Sequence, residues 1–245
     1  IMFILQNNYI KKTTEKWIHI MKFTQKSGSN LEYVVASPDK LDIDRAYGLI
    51  ILLHGYGSHM GDLAGLASEI DDTNYIYLCP NAPIEMDVGF GQKGYAWYPI
   101  SSTKEPDDSA LSESITNLNK TIDSVISEYP IDKNKILIGG FSQGGMMTIH
   151  AGLLKPELYA GAFILSSRML KRSEFEQKVY DTRKIPVFMS HGLTDMIISI
   201  DDGRNTRDLL NSYGYEVEYH EYDMAHQIVN KTIEDLRNWI TNLIG

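Results

Sequence analysis

The sequence is poor in cysteine, in basic residues and in long apolar runs, and each shortage excludes a class of protein. Cys79 is the single cysteine, so no internal disulfide can form, and the sequence suits a reducing compartment. Lys and Arg number 23 against 32 Asp and Glu, which gives a formal net charge of −9. Nucleic acids and anionic membrane surfaces repel an acidic protein, so neither is expected as a partner.

No apolar run approaches the roughly 18 residues of a membrane-spanning helix, so no integral membrane association is expected. Near the N-terminus only Ile1–Leu5 is continuously apolar, which is too short for the core of a signal peptide. We therefore expect a cytoplasmic protein in which residues 1–20 are a leader or an artificial extension and residues 21–245 form one domain. The 7 histidines show no zinc-ligand spacing, so no metal site is indicated.

Short apolar runs alternate with segments of helical periodicity from Leu31 onward. Several of the runs are continuously apolar, which is typical of strands covered on both faces in a parallel sheet. The alternation predicts the α/β class, with a mostly parallel central sheet and helices on both faces. The predicted strands are Leu31–Ala36, Gly48–Leu53, Tyr75–Cys79, Lys135–Gly139, Ala160–Leu165, Pro186–Ser190 and Glu216–Tyr222. The predicted helices are Asp62–Ile70, Ser109–Glu128, Gln143–Leu154, Asp201–Tyr213 and Gln227–Leu243.

The longest irregular stretch, Pro80–Asp108, is rich in glycine, proline and aromatic residues and follows a predicted strand. Loops of this length inside a compact domain are usually functional. We expect this stretch to contribute to a site, with a plain surface excursion as the alternative. Ser109, followed by Ser112 and Glu113, predicts the capped start of the next helix.

Four glycines surround one serine in the stretch Gly139–Gly145, GGFSQGG, which follows the apolar run Lys135–Ile138. Residues Gly140–Gly144 match G-x-S-x-G, in which a nucleophilic serine occupies a sharp turn between a strand and a helix. Such a serine has a cramped backbone, so its neighbours must be small, and the following helix directs free N–H groups at a developing negative charge. The pattern predicts Ser142 as a nucleophile, with a glycine-rich turn without chemistry as the alternative.

A serine nucleophile needs a base and a carboxylate to orient that base, and both follow Ser142 in the expected order. Asp195 lies in the loop after the predicted strand Pro186–Ser190, and His226 in the loop after the predicted strand Glu216–Tyr222. Loops at the carboxyl ends of strands are where active sites gather in open α/β sheets. The sequence therefore predicts a triad of Ser142, Asp195 and His226.

Other residues compete for the two supporting roles. Asp181 lies ahead of the strand, and Asp201 and Asp202 resemble helix caps, so all three are weaker candidates for the acid. His191 directly precedes a glycine at a strand end, where a packing role is expected. His220 lies inside a strand of alternating character, where a solvated or cross-strand position is expected.

An oxyanion hole needs two backbone donors aimed at the tetrahedral intermediate. The N–H of Gln143, the residue after the nucleophile, is the first candidate. The second is the N–H of Tyr56 in the His54–Gly57 stretch, HGYG, which follows an apolar strand. His54 itself lies at the strand end and is expected to brace this loop.

Six motifs, taken in order, resemble the carboxylesterase and acyl-protein thioesterase (phospholipase-carboxylesterase) family of serine α/β-hydrolases. From roughly Leu31 to the C-terminus they are LLHGYG, PNAP at Pro80–Pro83, AWY at Ala96–Tyr98, GGFSQGG, HGLTD and the final Met-Ala-His. The resemblance implies the α/β-hydrolase fold and maps the triad onto Ser142, Asp195 and His226. It also implies an acyl groove beside the loop from PNAP to the tryptophan, which Trp97 and Tyr98 are expected to line.

The function we predict is hydrolysis of a carboxylic ester through an acyl-enzyme, with a small-molecule ester or an acyl thioester as the substrate. Met146, together with Met60 and Met86, offers soft apolar surface to an acyl chain. The chemistry uses side chains and water alone, so no cofactor is expected. A monomer and a homodimer are both compatible with the sequence.

The main alternative is action on long acyl chains, as by a lysophospholipase or an acyl-protein thioesterase. A remote alternative is a non-catalytic protein that binds a small ligand, but such a protein is expected to lose a triad member or an oxyanion glycine. A peptidase is disfavoured because no added domain selects peptides, and the serine at position 142 counts against the related dienelactone hydrolases, which use cysteine. Met196–Ser199 and Gly57–Asp62 depart from the family's pattern and leave the choice of substrate open.

Overall fold

The structure, a computed structural model, describes residues 21–28, 30–100 and 107–245. The predicted leader, residues 1–20, lies outside this part of the chain, as do residues 101–106 of the long irregular stretch. None of the helices within the described ranges is long and apolar enough to cross a membrane.

A large central sheet organises the described residues. In chain order the strands are β1 (Met21–Ser27), β2 (Glu32–Pro38), β3 (Tyr47–Leu53), β4 (Tyr75–Pro80), β5 (Ile84–Asp87), β6 (Lys93–Ala96), β7 (Ile131–Phe141), β8 (Gly161–Leu165), β9 (Val187–Gly192) and β10 (Val217–Tyr222). Eight of them form one sheet in the order β1-β2-β4-β3-β7-β8-β9-β10, while β5 and β6 form a separate hairpin. From β4 to β10 every neighbouring pair in the sheet is parallel, which confirms the predicted mostly parallel sheet.

Helices cover both faces of this sheet. They are α1 (Met60–Ala64), α2 (Leu66–Ile70), α3 (Asp108–Glu128), α4 (Gln143–Thr148), α5 (Arg172–Val179), α6 (Ile200–Ser212) and α7 (Asn230–Ile244). Side chains alternate across a strand, so Leu49 and Ile51 of β3 pack with α3, α4, α5 and α6, whereas Ile50 and Leu52 pack with α1, α2 and α7. The two resulting cores confirm the predicted layers.

Several elements differ from the sequence-based expectation. Strand β1 is an antiparallel edge strand in which only Met21 is buried, so it lacks the apolar run that marks a central strand. The predicted helix Asp62–Ile70 is divided at Gly65, a residue of low helix propensity. The predicted helix Gln143–Leu154 is α-helical only to Thr148 and continues as one π-helical turn, Ile149–Leu153.

Two further elements were not predicted from the sequence because they contain few buried apolar residues. Helix α5 buries only Phe175 and Val179, which is too little apolar periodicity to predict a helix. The hairpin of β5 and β6 lies inside Pro80–Asp108, and its strands are half exposed and only four residues long each. The long irregular stretch therefore contains a hairpin that its hydrophobicity pattern does not predict.

Two predicted helix caps are also displaced. Asp107, not Ser109, caps α3, because its Oδ1 accepts the N–H groups of Ser109 at 2.8 Å and Ala110 at 3.3 Å. Ser199, not Asp201 or Asp202, caps α6, and its hydroxyl accepts the Asp202 N–H at 3.2 Å. In both cases the cap lies two or more residues before the predicted start because the capping residue itself is extended.

Ser199→Ala tests the assignment of the α6 cap. Loss of the hydroxyl removes one of the two acceptors of the Asp202 N–H, which keeps only Ser199 O at 3.0 Å, and the loss of an N-cap side chain costs about 1 kcal/mol of unfolding free energy. The measurement is urea unfolding, with Ser112→Ala on the exposed face of α3 as the matched control, which should be neutral or slightly stabilising. Equal effects of the two substitutions would contradict the assignment.

Candidate active site

The three residues of the predicted triad follow β7, β9 and β10 at the carboxyl edge of the sheet. Ser142 directly follows β7, Asp195 lies three residues after β9, and His226 lies four residues after β10. These strands are parallel, so their carboxyl ends reach the same edge. Residues that are up to 84 positions apart in the chain therefore meet at one place.

Ser142 occupies the strained turn that the motif predicts. Its backbone angles are φ 54° and ψ −116°, a conformation that costs a side-chain-bearing residue on the order of 1–3 kcal/mol. Two hydrogen bonds hold the turn from outside: the Ser142 N–H donates to Leu165 O at 2.9 Å, and the Ser167 hydroxyl donates to Ser142 O at 2.7 Å. The surrounding structure thus imposes the conformation on the serine.

The glycines around Ser142 provide space for close packing. A Cβ atom on Gly144 would lie 1.9 Å from Leu53 O, and one on Gly140 would lie 2.6 Å from the same oxygen. A Cβ atom on Gly145 would lie 2.6 Å from Ser167 Cβ. Positive φ at this turn belongs to the serine and not to these glycines. The requirement for small neighbours, predicted from the motif, therefore comes from the approach of α4 to the end of β3.

A continuous hydrogen-bonded chain joins the three predicted residues. The Ser142 hydroxyl lies 2.9 Å from His226 Nε2, and His226 Nδ1 lies 2.7 Å from Asp195 Oδ2. The imidazole ring also packs against Phe141, with ring centroids 4.7 Å apart. This geometry suits a neutral imidazole that accepts a hydrogen bond from the serine hydroxyl at Nε2 and donates a hydrogen bond from Nδ1–H to the carboxylate.

Asp195 is a buried carboxylate with three donors. Its Oδ1 accepts the N–H groups of Ile197 and Ile198, each at 2.9 Å, while Oδ2 faces His226. Burial alone raises the pKa of this carboxyl, but the hydrogen bonds from His226, Ile198 and Ile197 outweigh burial and lower the pKa below its ordinary value. The group is therefore ionised at neutral pH.

The residues that compete with Asp195 and His226 for their roles lie outside the triad. The loop that carries Asp195, between β9 and α6, is called the acid loop below. Asp181 is exposed beyond the end of α5, and Asp201 and Asp202 belong to the first turn of α6. The buried His191 donates from Nε2 to Ile198 O at 2.9 Å, so it packs within the acid loop as predicted. His220 pairs with a glutamate on its own strand, and its ring stacks on Phe188.

Both predicted oxyanion donors are free within the described part of the chain. The Gln143 N–H opens α4, where the first backbone N–H groups have no partner inside the helix. The Tyr56 N–H lies in the loop after β3 and donates to none of the described residues. Two unpaired backbone donors from separate loops are the parts that an oxyanion hole requires.

His54 braces the loop that carries Tyr56. Its Nε2 accepts the Ala82 N–H at 3.0 Å, so Nδ1 carries the proton and donates to Gly55 O at 2.7 Å. Burial lowers the pKa of His54 from 6.5 to about 4, so the ring is neutral under physiological conditions. The predicted bracing role of His54 is confirmed.

The three residues predicted to contact substrate are all buried. Trp97 has an exposed fraction of 0%, and Tyr98 and Met146 have 3% and 8%. The Tyr98 hydroxyl donates to Met146 Sδ at 2.9 Å, while the Trp97 indole N–H donates to His54 O. In this conformation Trp97 lies in the core and presents no surface to an acyl chain. Contact of Tyr98 and Met146 with substrate stays a prediction.

Two supporting residues were missed in the sequence. Ser167 holds the carbonyl of Ser142, and its position shortly after the apolar strand β8 was the available signal. Gly192 ends β9, where a Cβ atom would lie 2.3 Å from Met224 O. Because glycine has no Cβ atom, the loop that carries His226 can pack on the end of the strand. Within the described ranges, no group of three or more His, Cys, Asp or Glu side chains is arranged to hold a metal ion.

Comparison with known proteins places this geometry in a family. The family described as Phospholipase/Carboxylesterase matches residues 32–244, which is most of the chain. The chain belongs to the phospholipase/carboxylesterase family. Membership confirms the predicted family, the α/β-hydrolase fold and the class of enzyme, a carboxylic ester hydrolase.

Individual relatives agree with this assignment. Acyl-protein thioesterase 1 of Neurospora crassa is 28% identical over 218 residues, covering 81% of this chain and 88% of the relative. A probable carboxylesterase of Arabidopsis thaliana, SOBER1-like, is 28% identical over 207 residues, covering 78% and 77%. The crystal structure of Arabidopsis thaliana SOBER1 superposes with a TM-score of 0.70 at 25% identity and covers 82% of this chain and 100% of that chain.

The low pKa of His54 predicts an acid-sensitive fold. Between about pH 6.5 and pH 4, His54 is protonated in the unfolded state but remains neutral in the folded state, because its pKa there is about 4. The unfolding free energy therefore falls as the pH drops through this window. The shift corresponds to about 3 kcal/mol. We expect the difference in unfolding free energy between wild type and His54→Gln to shrink by about that amount from pH 7 to pH 4 in urea titrations. A difference that stays constant would contradict the prediction.

Proposed function

We propose that the chain hydrolyses carboxylic esters in two steps, with Ser142 as nucleophile, His226 as general base and Asp195 as the carboxylate that orients it. The observation that carries the proposal is the unbroken chain of hydrogen bonds from Asp195 Oδ2 through both ring nitrogens of His226 to the Ser142 hydroxyl, at 2.7 and 2.9 Å. The strained turn at Ser142 supports the same roles because a residue is held in such a conformation where function requires it.

In the first step Ser142 Oγ attacks the carbonyl carbon while its proton moves to His226 Nε2. The ionised Asp195 stabilises the imidazolium that forms, which is consistent with the lowered pKa of that carboxyl. The N–H groups of Tyr56 and Gln143 donate to the developing oxyanion. The intermediate collapses when the bond from carbon to the leaving oxygen or sulfur breaks and His226 returns the proton to the leaving group.

In the second step a water molecule replaces the leaving group. His226 removes a proton from the water as its oxygen attacks the acyl carbon, and the same two N–H groups stabilise the second oxyanion. The bond from carbon to Ser142 Oγ then breaks, and His226 reprotonates the serine. The product is a free carboxylic acid, and each step uses side chains, backbone N–H groups and water.

The proposal extends to the setting in which the enzyme works. Small-molecule esters are the proposed substrates, a choice that the name of the carboxylesterase relative supports. Residues 21–245 are proposed as a single domain, supported by two cores that share one sheet. A cytoplasmic location, supported by the lone buried Cys79, and a monomeric or homodimeric state complete the proposal.

A second candidate function, action on long acyl chains, is favoured by apolar side chains at the carboxyl edge of the sheet. Met196 and Ile197, beside Asp195, have exposed fractions of 91% and 73%. Leu193 of the same loop and Tyr56 after β3 are exposed as well. Exposed apolar side chains that gather near a site are typical of surfaces that bind apolar ligands.

Ser142→Ala tests the proposed nucleophile. Removal of the hydroxyl should lower the rate of p-nitrophenyl ester hydrolysis by at least about 10⁴-fold, because neither base nor acid replaces the lost covalent step. The readout is initial release of p-nitrophenolate at neutral pH. Ser112→Ala, exposed on α3, is the matched control and should retain wild-type activity. Equal rates for wild type and Ser142→Ala would overturn the proposal.

Acyl-chain length tests the second candidate function. If Met196 and Ile197 contact a long chain, the double variant Met196→Ser/Ile197→Ser should lower kcat/KM for p-nitrophenyl decanoate about tenfold and leave p-nitrophenyl acetate unchanged, because apolar contact area is lost only with the long chain. Ile43→Ser is the matched control, since Ile43 is similarly exposed but precedes the amino end of β3. Equal effects on the two esters would contradict the long-chain reading.

A further inference from the structure

Trp97 connects the two loops that carry the proposed oxyanion donors. Its indole Nε1–H donates to His54 O at 2.9 Å, two residues before Tyr56. Its backbone N–H donates to the side-chain Oε1 of Gln143, also at 2.9 Å. One fully buried residue therefore bonds to the loop after β3 and to the start of α4.

The side chain of Gln143 is held at both ends. Its Oε1 accepts the Trp97 N–H, and its Nε2 donates to Tyr98 O at 2.9 Å, so the amide pairs with the backbone as a neighbouring strand would. The side chain is buried, so its two polar groups depend on these protein partners. Since the main-chain N–H of the same residue is a proposed oxyanion donor, this pairing limits how far that donor can move.

The loop that carries Tyr56 is bound to the same part of the chain. The Gly57 N–H donates to Tyr95 O at 2.9 Å, and the Tyr95 N–H donates to Ser58 O at 2.8 Å. Gly94 lies so close that a Cβ atom there would be 2.3 Å from Gly57 O. The residues on both sides of Tyr56 are thus bound to residues 95–97, which lie within the stretch Pro80–Asp108.

We propose that Trp97 is a positioning residue that sets the separation of the Tyr56 and Gln143 N–H groups. The proposal rests on the function proposed above. The two donors extend from different strands, β3 and β7, and stabilise one oxygen only when both lie about 2.7–3.1 Å from it. Because that oxygen is an anion only in the transition state and the intermediate, misplacement of the donors lowers kcat more than it raises KM.

Trp97→Phe tests the proposal because it removes the indole N–H and keeps an aromatic side chain. We expect kcat for p-nitrophenyl acetate to fall about tenfold and KM to stay within about twofold, a partial version of the loss seen when an oxyanion donor is deleted. The affinity for a trifluoromethyl ketone, which forms a tetrahedral oxyanion on the serine, should fall by the same factor as kcat/KM. Rates are normalised to the active-site concentration from the p-nitrophenolate burst.

Trp239→Phe is the matched control. Trp239 is a buried residue of α7 that packs against Phe188 in the core on the opposite face of the sheet. The same chemical change there should lower stability and leave kcat and the affinity for the ketone unchanged. Should Trp97→Phe fail to fold, Gln143→Met provides the second test, because it removes the paired amide and keeps the main-chain N–H. We expect the same fall in kcat and in ketone affinity.

The outcomes separate this proposal from the proposed function. Wild-type kcat and ketone affinity in Trp97→Phe, or in Gln143→Met where the former does not fold, would overturn the positioning role while Ser142→Ala remains inactive. A loss that appears in KM alone, or an equal loss in Trp239→Phe, would overturn it as well. Full activity in Ser142→Ala would instead remove the proposed function on which the inference rests.

Discussion

The contact between the start of α4 and the end of β3 is the constraint on which the site depends. Gly144 lies so close to Leu53 O that any side chain would collide with the β3 backbone, and Gly140 faces the same oxygen. This approach forces the turn between β7 and α4 to be tight, and Ser142 takes the positive φ that results. Hydrogen bonds to Leu165 at the end of β8 and from Ser167 just after it hold this conformation, so the hydroxyl is presented at the sheet edge.

The electrostatics of the site follow from how its ionisable groups are buried. Asp195 remains charged inside the protein because two backbone N–H groups and His226 replace the water it has lost. His54 is buried without a carboxylate partner and is therefore neutral. The two buried side chains therefore differ in charge: hydrogen bonds keep Asp195 ionised, whereas burial keeps His54 neutral.

The long irregular stretch Pro80–Asp108 contacts the candidate site, although it also contains an exposed hairpin. Residues 95–98 pair with the loop around Tyr56 and with the amide of Gln143, while Phe90 at the hairpin turn is exposed. The same stretch, Pro80–Asp108, therefore contains residues that bond to the candidate site and one exposed aromatic residue, Phe90. In the proposals made above, Trp97 positions the oxyanion donors, and the exposed residues Met196 and Ile197 contact the acyl chain.

The sequence by itself determined the class of fold and the chain order of the proposed triad. Continuous apolar runs require burial on both faces, and a serine among glycines between such a run and a helix has few other uses, so β3, β7 and Ser142 were predictable. Tertiary structure decided what depends on distant contacts. Strand β1 and helix α5 have too few apolar residues to be predicted from the sequence. The caps Asp107 and Ser199 have extended backbones and lie before the helices that they cap. Trp97 was expected to line a groove but lies in the core. Local sequence patterns indicate burial and turn geometry. They do not indicate contacts between residues that are more than forty positions apart, such as those of Trp97 with His54 and Gln143, because such residues meet only when the sheet forms.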